Sequence, residues 1–165
     1  MGYPGIADEG DGYAGGTDLY THAAAQTTGG LQKWVFNAAT QSWTLAYTLR
    51  AGLKLGQPYT VSGYPAGNNA ATQLPWLPAT DGLRQLTGRA DEDGKVTLWA
   101  ITSTISGNGD TGADPNKRVA IRDELSNTTA AGAADEKFVT LRSARFGEVL
   151  RGVSFTPGMG RGNRD

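Results

Sequence analysis

The residues able to do chemistry are few. His22 is the only histidine and there is no cysteine. A Ser-His-Asp triad could be built only on His22, and zinc bound there would need carboxylates for its remaining ligands. No nucleophile elbow, H-E-x-x-H helix or P-loop occurs, so His22 reads as an ordinary strand residue. Acidic residues gather at Asp8 to Asp11, Asp91 to Asp93 and Asp110 to Asp114. Calcium takes six to eight oxygens, and none of the three has the EF-hand spacing. Asp110 and Asp114 are the weak metal candidates, and the expectation is no metal and no cofactor. Asp91-Glu92-Asp93-Gly94 lies between two strand patterns and predicts a hairpin turn with Gly94 at positive φ.

Two groups of side chains suit ligand binding. Arg84, Arg89 and Arg151 sit on or beside Leu-Arg strand segments, where guanidinium groups can grip a carboxylate or phosphate bidentately; the alternative is that they pair with Asp or cap strand ends. Tyr59, Tyr64 and Trp76 share a stretch with Pro65, Pro75 and Pro78. Tyr59, Tyr64 and Trp76 with these prolines would form a lip for a glycan or peptide, unless the stretch packs on its own blade.

Composition restricts the partners. The formal net charge is −1, which provides no field for a phosphate backbone, so nucleic acid is not expected. No apolar run is long enough to span a bilayer, and a secretion signal would lie upstream of Met1. The 24 glycines among 165 residues are about twice the usual share and predict many turns.

The elements that must position these residues are all strands. Residues 1–16 read as a Gly/Asp-rich loop, followed by short strands at 18–23 and 31–36. In Trp43-Thr44-Leu45-Ala46-Tyr47-Thr48-Leu49 the bulky residues fall at every second position, predicting one apolar face and one face of Thr44, Ala46 and Thr48. Residues 50–81 read as an insertion loop, because prolines cannot donate to a ladder. Further strands are expected at 83–87, 96–102, 118–121, 137–141 and 149–155, with 96–102 central because it is apolar on both faces. The alanine-rich 128–137 is interrupted by Gly132 and allows one helical turn at most. Residues 158–165 read as a flexible tail.

The two halves correspond: Leu19-Tyr20-Thr21 with Leu98-Trp99-Ala100, and Leu83-Arg84-Gln85-Leu86-Thr87 with Leu150-Arg151-Gly152-Val153-Ser154. Four antiparallel strands per repeat make a propeller blade, so 17–157 is expected to be about two blades of a partial β-propeller, with a β-sandwich as the alternative. Trp-Thr-Leu-Ala-Tyr-Thr-Leu at 43–49, Val-Thr-Leu-Trp-Ala at 96–100 and Leu-Arg-Gly-Val-Ser-Phe-Thr-Pro at 150–157 resemble a group of bacterial exported β-propeller repeat proteins. The resemblance implies a propeller architecture and an extracellular or cell-envelope location, and in a propeller the three arginines would lie on or next to the innermost strands that line the central channel. The function expected is a non-catalytic binding module for a protein or glycan. A metal-assisted hydrolase of the propeller lactonase or phosphoesterase kind, and a structural fragment without activity, are the alternatives. Two blades cannot close a ring, so self-association or further blades are expected.

Overall fold

The computed structural model describes residues 27–70, 73, 75–107 and 114–156. His22, Asp110, the strand expected at 18–23, the 1–16 loop and the 158–165 tail lie outside them. Six strands follow in order: β1 (Leu31–Asn37), β2 (Ser42–Leu49), β3 (Ala79–Ala90), β4 (Lys95–Ile105), β5 (Lys117–Glu124) and β6 (Val139–Ser143). The four pairings between these strands are all antiparallel. One sheet is the β1–β2 hairpin, and the other is the four-stranded meander β3-β4-β5-β6. There is no helix and no closed sheet among the described residues.

The hairpin turns where Asn37 folds its side chain back. Its Oδ1 accepts the N–H groups of Ala39 at 2.9 Å and Thr40 at 3.3 Å, an Asx turn that stops the strand. Within the hairpin Lys33 lies opposite Tyr47 and Trp34 opposite Leu45, so Ala46 has no cross-strand partner. Side chains directly opposite one another share a face, and an extra residue in one strand reverses its alternation beyond that point. Leu31, Lys33, Tyr47 and Leu49 therefore point one way, while Trp34, Phe36, Trp43 and Leu45 point the other. The single apolar row expected from the spacing of 43–49 is thus split in two by a β-bulge.

In the second sheet β4 is central, as its sequence predicts, and it is buried from Ala100 to Ile105. The turn before it has Gly94 at φ 80. β3 starts at Ala79 rather than Leu83, because the first part of the 50–78 stretch docks on it: Pro58 bridges Ala79 and Leu55 bridges Thr80. Asp81 and Gln85 are its bulge positions. Residues 149–155 do not form the expected strand. The Asn116 side chain takes the place of a neighbouring strand there, accepting the Leu150 N–H at 2.7 Å and donating to the Leu150 carbonyl at 2.9 Å. Further on, Phe155 packs edge-on against Trp99 at 5.2 Å, which lays this segment on the outer face of the meander.

The core lies between the two sheets. Tyr47 and Leu49 from the hairpin meet Ala100, Val119 and Ile121 from the meander, sealed by Leu53, Leu55, Ala133 and Phe138. Burial of each aliphatic side chain stabilises by about 1.5–3 kcal/mol. Gly52 makes the seal possible. It sits at φ +86, and a Cβ there would lie 2.2 Å from the Phe138 carbonyl oxygen, so only glycine lets Ala51 reach the Phe138 N–H.

Candidate interaction surface

The described residues singled out in the sequence lie on β3, on its turn to β4 and on the connecting segments, and none lies on the β1–β2 hairpin. Arg84 faces Ile101 across the ladder and lies beside Asp81. Arg89 is exposed 3.5 Å from Asp91, and Arg151 is exposed on the segment that follows Leu150. Asp91 and Asp93 also bracket Arg122, forming a solvated ion-pair cluster around the β3–β4 turn. Trp76 is half-buried and its backbone N–H donates to the Gly67 carbonyl.

Two of the candidates meet. Tyr64 Oη donates to Oδ1 of the fully buried Asp114 at 2.5 Å, and Ser106 Oγ lies 2.8 Å from the same oxygen. Nearby, Tyr59 Oη donates to the Pro115 carbonyl, and Lys117 Nζ sits 3.4 Å from the centre of the Tyr59 ring. Burial pushes the Tyr59 phenol up and lowers the Lys117 ammonium, with Asp114 and Lys54 adding to the respective shifts. The hydroxyls of the aromatic-proline stretch are thus directed into the protein, where they tie it to residues 114–115. Asp81 is held above the ordinary carboxylate range by burial, against the opposing hydrogen bond from Ser103. Among the described residues no group of three or more His, Cys, Asp or Glu is placed to hold a metal ion.

A second buried polar group fixes the hairpin to the meander. Lys33 Nζ from β1 reaches Asp123 Oδ2 on β5 at 2.9 Å and donates to the Glu124 and Leu125 carbonyls. Tyr47 Oη from β2 donates to Asp123 Oδ1 at 2.5 Å. Burial, then the Asp123 carboxylate, raises the Tyr47 phenol well above its ordinary value. Glu136 completes the group: its Oε1 accepts the Glu124 N–H and Asn127 Nδ2, and its Oε2 is buried. Burial, reinforced by the neighbouring Asp123, raises its pKa.

This arrangement sets a pH dependence. A raised carboxyl pKa means that the folded chain holds a proton the unfolded chain releases, so the stabilisation is full below the ordinary Glu value and is lost as pH rises through the raised one. Glu136→Gln, which carries its hydrogens at every pH, is expected to raise the melting temperature by ~2 °C at pH 7.5. It should have little effect at pH 4. Melting curves of both proteins across this range check it, and a deficit in the variant that is the same at every pH would contradict the assignment.

Among the described residues nothing covers the other face of the hairpin. Trp34 is 48% exposed, Phe36 44%, Trp43 65% and Leu45 41%. The rings of Phe36 and Trp43 lie 5.3 Å apart and tilted by 52°, and Trp34 Nε1 donates to Gln32 on the same face. From Trp34 to Leu49 there is no charged residue. No protein-family model, curated protein or solved structure matches this chain. The surface therefore has to be read from its own chemistry. Sequence reasoning missed it because the 43–49 alternation assigns Trp43 and Leu45 to the core. The signal available was the uncharged run itself, in which a solvated strand face would ordinarily carry Lys or Glu.

Proposed function

We propose that the chain is a non-catalytic interaction module of an exported protein, and that the outward face of the β1–β2 hairpin makes the contact. The observation that carries this is a contiguous set of four large apolar side chains standing in solvent on a run of residues without charge. Single exposed apolar residues are ordinary, whereas contiguous patches mark association surfaces. A protein surface suits it better than a glycan, because rings tilted by 52° do not form a flat platform for a sugar face. For the architecture, the strand order of β3 to β6 is that of a propeller blade, and the hairpin packs on its face as part of a neighbouring blade would. A β-sandwich stacks the same two sheets and needs no further blades. The extracellular or envelope location rests on the resemblance of 43–49, 96–100 and 150–157 to exported propeller proteins.

The test uses dilute protein and an apolar fluorescent dye, anilinonaphthalene sulfonate. The wild-type chain is expected to bind it with native near-ultraviolet dichroism intact. The triple variant Trp34→Ser, Phe36→Ser, Trp43→Ser should keep its melting temperature within about 3 °C and lose the dye signal. If the variant unfolds, the face is core; if it binds the dye unchanged, the surface is elsewhere. Either result rejects the proposal.

A further inference from the structure

We infer that the occupant of this face is the same face of a second copy of the chain, so that two hairpins stack across a two-fold axis. The inference rests on the reading of the hairpin as a contact surface. Three observations point to a second copy. With no charge between Trp34 and Leu49, the face needs no complementary charge, and a patch of this kind is complementary to itself. Of the two cations that flank this run, Lys33 points to the other side and is held by Asp123, and Arg50 donates to the Thr28 carbonyl at the open end of the hairpin, away from Trp43. The net charge of −1 opposes the approach of two copies only weakly.

The apolar face supplies about half of a standard dimer contact as its centre, and the polar residues around it supply the remainder. Aromatic side chains present about 150–250 Å² each, so four apolar residues exposed by roughly half supply on the order of 400 Å² per copy. A stable dimer buries about 800 Å² per partner, with an apolar centre and a polar rim. Gln32, Asn37, Thr40, Gln41 and Ser42 are exposed around the patch and provide that rim. The other exposed apolar strand, β6 with Val139 and Leu141, is a poorer partner for the hairpin. It is flanked by Lys137, Arg142 and Arg145, and 34–49 has no acid to meet them. A lipid surface fits less well still, because the apex at 37–42 that would enter first is polar and no basic side chain accompanies it.

Sedimentation of the full chain from about 1 to 200 µM tests the inference. The expected result is a monomer–dimer equilibrium with no larger species. Trp43→Lys and Trp43→Glu should each raise the dissociation constant by at least about tenfold, and an equimolar mixture of the two should recover dimer, because opposite charges then meet across the axis. The recovery separates a lost contact from a damaged fold. Rings or filaments would overturn the two-fold arrangement, and so would binding of the wild-type chain to phosphatidylcholine vesicles in place of dimerisation. A wild-type chain monomeric at every concentration overturns the second copy, and acrylamide quenching of Trp43, isolated against Trp43→Phe, then separates two cases. Strong quenching leaves the contact-surface reading intact, whereas a shielded Trp43 would mean that the chain covers its own hairpin and would reject both.

Discussion

Leu49→Asp is expected to abolish the cooperative unfolding transition, whereas Leu45→Asp, four residues earlier on the same strand, should move the midpoint by no more than about 3 °C in dilute solution. The two side chains differ only in the face they occupy. Leu49 is buried with Leu53, Val119 and Ile121, where a carboxylate finds no partner. Its desolvation costs several kcal/mol, a large part of the ~5–15 kcal/mol that holds a domain together. Leu45 lies beyond the Ala46 bulge and points to water. Calorimetry and near-ultraviolet dichroism on the two variants measure the difference directly. Equal damage from both would mean that Leu45 is core and that the hairpin has no bulge.

That contrast also marks what the sequence could and could not disclose. Alternation at 43–49 identified a strand correctly, but a bulge arises from how two strands pair, and a period of two in one strand carries no record of it. The central position of β4 was legible because a strand apolar on both faces must be covered on both. The turn at Gly94 was legible from Asp-Gly chemistry alone. Residues 149–155 look like a strand, yet they lie outside both sheets and Leu150 is held by the amide of Asn116, a long-range side-chain contact that no local pattern encodes. The matching of 83–87 with 150–154 therefore pairs a ladder strand with a segment outside the sheets. Asp114 was visible as an acidic residue, but its role as acceptor for Tyr64 and Ser106 depends on the path of residues 50–78. Lys33, Asp123 and Glu136 drew no notice, because each is unremarkable in its own segment and they are distant in sequence.

Asp123→Ala should be the most damaging single removal of a polar group, at about 3 kcal/mol, or roughly 6–12 °C in melting temperature. The carboxylate accepts from Lys33 and Tyr47 at once, and both come from the hairpin while Asp123 belongs to the meander. Its loss leaves a mostly buried ammonium with only the Glu124 and Leu125 carbonyls, and leaves Tyr47 Oη with a long 3.4 Å contact to the Asn127 carbonyl. Breaking one half of a buried pair costs more than replacing both halves, since the desolvated charge that remains is what destabilises. The double variant Lys33→Met, Asp123→Leu is therefore expected to recover most of the loss, and a double-mutant cycle built on Lys33→Met and Asp123→Leu gives the coupling. Hydrogen exchange locates the effect: in Asp123→Ala the amides of β1 and β2 should lose protection more than those of β4, because the hairpin is held to the meander by this group and by Tyr47 and Leu49. Uniform loss of protection across both sheets would mean that the two sheets unfold as one unit and that Asp123 contributes to global stability without acting as the hairpin's anchor.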